Sequence, residues 1–256
     1  MEKAAGQKKT RVDLLLVERG LVPSRERARA LILAGRVLVS EQKVEKPGST
    51  VPEAAAIRLL GEDLKYVSRG GLKLAEALEH WKIDTAGRTC LDVGASTGGF
   101  TDCLLQSGAT HVTAIDTGFG QIAMKLRSDP RVRLVERTNA RFLAPGALAE
   151  PGFPEPSLLV MDVSFISATL LLGPVLAAAP RLNEAVILVK PQFEVGRGNV
   201  GKGGIVRDPE AHRQAVEKVA ASVESFGWQV VESIDSPITG AEGNKEFLLY
   251  ARRAGV

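Results

Sequence analysis

The sequence is short of the residues that hold metals. Its 256 residues include only two cysteines and three histidines. Neither Cys90 nor Cys103 lies in a metal-ligand spacing, and the histidines (His80, His111 and His212) do not cluster with acidic residues or cysteines in any ligand spacing. We therefore expect no metal site. Cys90 falls in an apolar segment, where cysteine is a small core residue. Reduced thiols suit the cytoplasm, which is the compartment we predict.

Long apolar runs are also missing. A helix that crosses a membrane needs roughly 20 apolar residues, but the longest run here, residues 168–179, is interrupted by Gly173 and Pro174. Residues 1–9 carry basic side chains with no apolar segment behind them, so they do not resemble a signal peptide. These patterns predict a protein without a membrane partner.

Positive charge is distributed unevenly along the chain. The net charge is only +3, but residues 1–66 contain 13 basic and 9 acidic residues, whereas the remainder contains 20 and 21. This excess near the N-terminus favours a polyanion as the partner of that segment. A solvated charged surface would explain the same excess equally well.

The N-terminal quarter of the chain predicts a small α+β domain behind a tail. Residues 1–10 lack apolar periodicity, and we expect a disordered basic tail there. Within residues 11–60, one helix ends at Gly20, and a second begins after the N-cap Ser24 and ends at Gly35. Short strands follow.

Arginines crowd around the second of these predicted helices. Guanidinium groups bind phosphates well, so arginines on such a surface can position RNA. A solvated helix face with salt bridges from Glu18 or Glu26 is the alternative. The candidate RNA-binding residues of this segment are Arg11, Arg25, Arg29 and Arg36.

Beyond a linker at residues 61–66, strands and helices alternate. This alternation over residues 67–256 predicts an α/β fold with a mostly parallel sheet and helices on both faces. The connection between the last two strands is too short for a parallel crossover, so we expect these two strands to be antiparallel. The predicted strands are 89–93, 111–116, 132–136, 158–162, 185–190, 228–235 and 246–252, and the predicted helices include 100–107, 120–127, 167–179 and 209–226.

A glycine-rich loop follows the first of these strands and leads into a helix. Strand, glycine-rich turn and helix begin a nucleotide-binding βαβ unit, in which glycines let the backbone approach the ligand. Ser96 replaces the middle glycine of the dinucleotide fingerprint. With Asp92 before it, the loop looks more like an S-adenosylmethionine site than an NAD site. An ordinary tight turn is the alternative.

Other cofactor contacts follow from the neighbouring strands. The second strand ends in Asp116, whose carboxylate can accept hydrogen bonds from ribose hydroxyls. Asn139 follows the third strand, where it could reach an adenine or could equally be a turn residue. The candidate cofactor-binding residues are Asp92, Gly94, Ser96, Gly98, Gly99, Phe100, Asp116, Asn139 and Asp162.

Four charged residues lie where strands end or a helix begins. Asp162 and Lys190 end two apolar runs, Glu246 opens a third, and Lys73 follows the turn at residues 68–71. Charges in such places are costly to bury unless they are paired. Two lysines and two carboxylates can neutralise one another in one cleft, and this combination suggests a catalytic centre.

A second glycine-rich segment, residues 196–202, matches the spacing of a phosphate-binding loop. That loop would require Ser or Thr at position 203, which is glycine here, so we reject a nucleoside triphosphate site. The segment is better explained as a mobile loop over the substrate, with Arg197 and Lys202 as further candidate RNA contacts. A plain flexible connector is the alternative.

The chain contains the motifs SRGGLKL, LDVGASTGGFTD, MDVSFIS, LVKPQFE and GNKEF. Through these motifs, and along nearly its whole length, it resembles the TlyA family of ribosomal RNA 2′-O-methyltransferases, once called hemolysin A-like. The resemblance implies an FtsJ-type catalytic domain with a Rossmann-like class I methyltransferase sheet, mostly parallel with the last strand reversed. It also implies an N-terminal RNA-binding domain of the S-four type, and a catalytic tetrad of Lys73, Asp162, Lys190 and Glu246 around the target ribose.

The resemblance further implies S-adenosylmethionine as the cofactor and ribosomal RNA or ribosomal subunits as partners. The implied targets are cytidines of the large subunit and, in some members, of the small subunit. Lys190 is the candidate base for the ribose hydroxyl. Two other functions remain open. A membrane-active hemolysin would need an amphipathic or apolar membrane segment, and a noncatalytic RNA-binding protein would not need the intact tetrad.

Overall fold

The computed structural model describes residues 9–60, 65–240, 242–253 and 255. Within it, the chain divides into two compact units, Met1–Asp63 and Leu64–Val256. The predicted tail lies outside the described residues, except for Lys9 and Thr10. The prediction is wrong for these two residues, which belong to strand β1 (Lys9–Arg11). The strand forms because it pairs with β4 and because Thr10 Oγ1 donates a hydrogen bond to Glu53 at 2.8 Å.

The N-terminal unit contains two helices and two small sheets. Strand β1 pairs antiparallel with β4, and the second sheet has the antiparallel order β3-β2-β5. As predicted, Ser24 caps the second helix by accepting a hydrogen bond from the Arg27 amide at 3.2 Å. The elements are α1 (Val12–Glu18), α2 (Arg25–Leu33), β2 (Val37–Val39), β3 (Gln42–Lys43), β4 (Thr50–Pro52) and β5 (Ile57–Leu59).

The predicted linker differs from the structure at its C-terminal end. Residues 61–64 lie outside the described residues, but Tyr66 is buried in the core of the larger unit. Its ring packs against Gly71, where a side chain would collide with it. The neighbouring Val67 amide donates a hydrogen bond to Asp102 at 2.8 Å. The larger unit therefore begins before residue 67.

A seven-stranded sheet forms the centre of the larger unit, in the order β11-β12-β10-β9-β6-β7-β8. Strand β12 is antiparallel to both of its neighbours, and the strands from β10 to β8 are all parallel. This confirms the predicted fold with one reversed strand. The strands are β6 (Thr89–Val93), β7 (His111–Ile115), β8 (Val132–Val135), β9 (Leu158–Met161), β10 (Glu184–Val189), β11 (Trp228–Asp235) and β12 (Phe247–Arg253).

Helices cover both faces of this sheet because side chains alternate along each buried strand. In β6, Leu91 packs in the core with α6 and α8, whereas Cys90 packs in the core with α3 and α4. Cys90 is therefore a core residue, as predicted. The helices of this unit are α3 (Gly70–His80), α4 (Gly99–Gln106), α5 (Met124–Arg127), α6 (Thr169–Ala178), α7 (Pro191–Glu194) and α8 (Pro209–Glu224).

The predicted helix over residues 120–127 was wrong in its first half. Only Met124–Arg127 is helical. Upstream, the amides of Gly118 and Gly120 donate to the carboxylates of Asp116 and Glu136, at 2.6 and 2.7 Å. These side-chain bonds hold the backbone at Gly118 and Gly120 in a turn, so the helix begins only at Met124.

The order of the strands determines where a ligand can bind. Strand β7, which follows β6 in the chain, lies on one side of β6 in the sheet, and β9 lies on the other side. In open α/β sheets, ligands bind beyond the carboxyl ends of the strands at such a switch point. The loops that follow β6, β7, β9 and β10 meet at this edge.

Candidate active site

The tetrad predicted from the sequence forms two ion pairs. Lys73 lies in the first turn of α3 and pairs with Glu246, the residue just before β12. The Lys73 side chain is 9% exposed and that of Glu246 is 3% exposed. This pair is therefore almost fully removed from water, where each charge depends on the other.

The second pair stands at the ends of two adjacent parallel strands. Asp162 follows β9 and Lys190 follows β10, and Lys190 Nζ lies 2.6 Å from Asp162 Oδ1. Lys190 Nζ also donates a hydrogen bond to Ser164 Oγ at 2.8 Å. Asp162 Oδ1 is buried and, despite the short contact, accepts no well-aligned hydrogen bond from the described residues. The Lys190 ammonium is thus held from two sides.

Two cavities open at this edge of the sheet. The first, of about 530 Å³, is lined by all four tetrad residues. The second, of about 500 Å³, is lined by Asp116 and Asn139. The residues that line both cavities are Gly94, Ser96, Asp162, Ser164 and Phe165. Asp162 therefore lies where the tetrad cavity meets the second cavity, and groups bound in the two would face each other there.

The glycines of the first loop are required by the protein's own packing. Gly94 has φ +89°, and a Cβ there would collide with the carbonyl of Asp162. Gly98, at φ +94°, lies against Leu126, and a Cβ on Gly99 would collide with Ser68. The sequence predicts that these glycines let a ligand approach; in the structure they also make room for neighbouring protein atoms, while Gly94 and Gly99 line the tetrad cavity.

The carboxylate of Asp116 ties the glycine loop to the next strand. It accepts hydrogen bonds from the amides of Ser96 and Gly118, at 2.7 and 2.6 Å. A carboxylate has about four acceptor positions, so two remain for a ligand. Asn139 accepts from the amide of Arg141 at 3.0 Å and caps a short 3₁₀ helix. Asn139 therefore has the turn role considered from the sequence and also lines the second cavity.

Asp92 and Phe100 occupy different positions relative to the two cavities. Asp92 is fully buried and lines neither cavity. Its Oδ2 accepts from Thr101 Oγ1 at 2.6 Å, while Oδ1 has no hydrogen-bond partner among the described residues. Burial raises the pKa of Asp92 to about 7. Phe100 is 3% exposed and lines the tetrad cavity.

We expect Asp92 to make the protein less stable as the pH rises. Its pKa is about 7 when folded, against an ordinary value of 3.8. Between these values the folded chain holds a proton that the unfolded chain has lost, so the free energy of unfolding falls by about 1.4 kcal/mol per pH unit. Asp92→Asn should remove this part of the pH dependence.

Urea denaturation at about pH 5.5 and about pH 8 would measure the effect as a change in unfolding free energy. Both tryptophans, Trp81 and Trp228, lie in the larger unit, so their fluorescence reports on that unit. Asp84→Asn, the same change at an exposed position, is the matched control. Equal pH dependence in wild type and Asp92→Asn would contradict the prediction.

Several residues of the tetrad cavity were missed as site residues in the sequence, and three of them stand out by their contacts or exposure. Ser164 holds Lys190, Arg69 lines the cavity, and Phe165 lines it while remaining 92% exposed. Phe165 also has φ +65°, which is uncommon for a bulky residue. Two of the three lie in the segment MDVSFIS, so its polar and aromatic residues next to Asp162 were the available signal.

The candidate RNA contacts occupy different settings. Arg11 and Arg25 bond to Asp13, Arg36 Nε donates to the Leu60 carbonyl at 2.7 Å, and Arg29 is exposed. In the second glycine-rich segment Lys202 is exposed, while the Arg197 side chain lies outside the described part of the structure.

The base of that glycine-rich segment is firmly attached to the larger unit. Gly204 lines the tetrad cavity. The buried Asn244 donates to the Gly204 carbonyl and accepts from the Val206 amide, both at 2.9 Å. The segment that borders the cavity is therefore anchored two residues from Glu246.

Metal-binding clusters and membrane-spanning helices are both absent from the described residues. No group of three or more His, Cys, Asp or Glu side chains there could hold a metal ion. No helix within the same ranges has the length and apolar character that crossing a membrane requires.

A seven-stranded sheet with one reversed strand, a glycine loop after its first strand and a tetrad at its switch point define a Rossmann-like methyltransferase. The model of the FtsJ-like methyltransferase family matches residues 66–253, and that of the S4 domain matches residues 10–57. The chain belongs to the FtsJ-like methyltransferase family and carries an N-terminal S4 domain.

Relatives of known name cover nearly the whole chain. It is 46% identical to the 16S/23S rRNA (cytidine-2′-O)-methyltransferase TlyA of Mycobacterium tuberculosis, over 96% of this chain and 90% of that protein. It is 39% identical to Hemolysin A of Brachyspira hyodysenteriae, over 94% and 98%. A solved structure from Streptococcus thermophilus, also given a hemolysin name, is 40% identical, covers 98% of this chain and 90% of its own, and has a TM-score of 0.73.

Proposed function

We propose that this protein is an S-adenosylmethionine-dependent ribosomal RNA (cytidine-2′-O)-methyltransferase of the cytoplasm. Its proposed substrate is large-subunit RNA, with small-subunit RNA as a second substrate. The observation that carries the proposal is the meeting of two cavities at Asp162, one lined by the tetrad and one by Asp116 and Asn139. The name of the Mycobacterium tuberculosis relative supports the choice of RNA and of cytidine.

The second cavity fits a nucleoside cofactor. Asp116 has acceptor positions left for ribose hydroxyls, and the apolar side chains of Ile115 and Leu171 line the same space. S-adenosylmethionine, when bound, would supply a methyl group on a positively charged sulfur. Asp162, at the junction, would favour that positive charge close to the tetrad.

The tetrad cavity fits a ribose and its 2′-hydroxyl. In this proposal Lys190 acts as the neutral amine: it accepts the proton of that hydroxyl and becomes the ammonium that Asp162 and Ser164 hold in place. The buried pair of Lys73 and Glu246 lines the same cavity and positions the ribose. Phe165 and Phe193 at the cavity add aromatic surface for the nucleotide.

We expect Asp116→Ala to weaken cofactor binding. The loss of even one hydrogen bond to a charged acceptor costs about 1.5–3 kcal/mol, so affinity should fall by roughly 10- to 100-fold or more. Isothermal titration calorimetry with S-adenosylmethionine measures the change. Asp129→Ala, which removes a carboxylate bonded to Arg131 outside both cavities, is the control. Unchanged affinity in Asp116→Ala would place the cofactor elsewhere.

The complete function is tested by methyl transfer. The full-length protein would be incubated with labelled S-adenosylmethionine and, separately, with purified large subunits, small subunits and the RNA extracted from each. Label in a cytidine ribose would support the proposal, and the preferred substrate would identify the subunit and its state of assembly. No transfer to any of the four, with cofactor binding intact, would contradict it.

A further inference from the structure

The S4 domain contains a buried carboxylate between two half-exposed arginines. Asp13, in the first turn of α1, has no exposed surface. Its Oδ1 accepts from Arg11 Nε, and its Oδ2 accepts from both Arg11 Nη2 and Arg25 Nε, all at 2.9 Å. Arg11 belongs to β1 and Arg25 opens α2, so this carboxylate connects three elements.

The Asp13 carboxylate stays ionised in this position. The hydrogen bonds from Arg11 and Arg25 outweigh the effect of burial and lower the pKa of Asp13 to about 2. At neutral pH the three side chains therefore carry one net positive charge. Burying a carboxylate is costly, and a surface that attracted RNA by charge alone would be more positive without Asp13. A positional role explains why an acid lies at this place.

Each arginine has donors to spare. A guanidinium group has five N–H donors, of which Arg11 uses two for Asp13 and Arg25 uses one. Within residues 9–60, no other hydrogen bond to a described residue uses the remaining donors of these two side chains. Their side chains are 44% and 47% exposed. Two guanidinium groups are thus fixed at one carboxylate oxygen with donors open to solvent.

We propose that Asp13 is a positioning residue that holds Arg11 and Arg25 together as one binding site for a phosphate group of the RNA backbone. The inference rests on the proposed binding of RNA. Phosphate oxygens accept charge-assisted, often bidentate, hydrogen bonds from guanidinium groups. Because Asp13 orders the two long side chains before RNA binds, binding itself does not bear the entropic cost of ordering them. This should make the affinity for RNA roughly tenfold higher.

Asp13→Asn distinguishes a positioning role of Asp13 from a purely electrostatic one, because the two roles predict opposite changes in RNA affinity. The variant gains a positive net charge, so binding by charge alone should become tighter. We expect the full-length variant to bind a 23S rRNA transcript and purified large subunits roughly tenfold more weakly. Filter binding over a range of salt concentrations measures the affinity. Glu26→Gln, the same charge change at an exposed position of α2, is the control and should bind at least as tightly as wild type.

Two lysine variants test the same idea without touching the buried carboxylate. Arg11→Lys and Arg25→Lys keep the charge but lose the planar, multidentate bonding of guanidinium, so each should weaken RNA binding. In an Arg11→Ala, Arg25→Ala protein, adding Asp13→Asn should change affinity no further. Hydrogen exchange over residues 9–60 reports whether the domain stays folded. If Asp13→Asn loses protection from exchange, the RNA affinities of the two lysine variants decide whether the positioning role holds.

Wild-type or tighter binding by folded Asp13→Asn, or by both lysine variants, would overturn the positioning role. A wild-type protein that bound neither the transcript nor the subunits would contradict the proposed RNA binding instead. The two failures are therefore distinguishable.

Discussion

Lys190→Ala is expected to lose methyl transfer while keeping its fold and its cofactor. As the proposed base, Lys190 should contribute on the order of 10²–10⁴-fold in rate. Its partner Asp162 is 19% exposed at the side chain, so water can solvate the carboxylate left behind and limit the loss of stability. Lys190→Arg should not restore activity, since guanidinium does not release its proton near neutral pH.

Single-turnover methylation, calorimetry with S-adenosylmethionine and thermal melts on the same variants would test this result. Lys125→Ala is the matched control, because Lys125 also pairs with an aspartate, Asp102, at 3.0 Å but lies outside the tetrad cavity. A folded Lys190→Ala protein that methylates at the wild-type rate would remove Lys190 from the reaction.

Lys73→Met should cost both stability and activity. It leaves the Glu246 carboxylate, 3% exposed, without its partner, and breaking such a buried pair costs about 3–5 kcal/mol. The double variant Lys73→Met, Glu246→Leu removes both charges and should recover most of this stability. If the pair positions the ribose, the double variant remains slower than wild type by about 10²-fold or more.

Tryptophan fluorescence in urea would follow stability, and single-turnover methylation would follow the rate. Arg88→Met is a control for stability alone. Arg88 pairs with Glu184 at the opposite end of the sheet, with side chains 18% and 19% exposed, so its loss should lower the unfolding free energy and leave the folded enzyme active. Full activity in the stable double variant would show that the Lys73–Glu246 pair is only structural.

Buried strands were the part of the fold that could be predicted best. The apolar segment at residues 89–93 and the strand at 228–235 were assigned with their observed bounds. Turns were harder, because the segment before Met124 depends on side-chain hydrogen bonds: the Gly118 amide donates to the nearby Asp116, and the Gly120 amide donates to Glu136 after the next strand. Such side-chain bonds override a local helix pattern and leave no periodic signal.

The candidate site was predictable in its charged residues and less so in its contacts. The tetrad came from motif resemblance, and the structure places its four members in one cavity. Which lysine pairs with which acid depends on strand order and on helix α3, and neither is visible in spacing. Asp13 was missed as a site residue, since a lone acid in a basic segment gives no sign of burial.

The burial of Tyr66 determines where the protein can be divided. A catalytic fragment that started at residue 67 would lack an aromatic ring of its own core and would leave Gly71 facing an empty space. Lys65 also accepts a hydrogen bond from Gln106 at 3.0 Å through its carbonyl. Removing the S4 domain by truncation should therefore keep residues 65 and 66, since a shorter fragment would confuse loss of RNA binding with loss of folding.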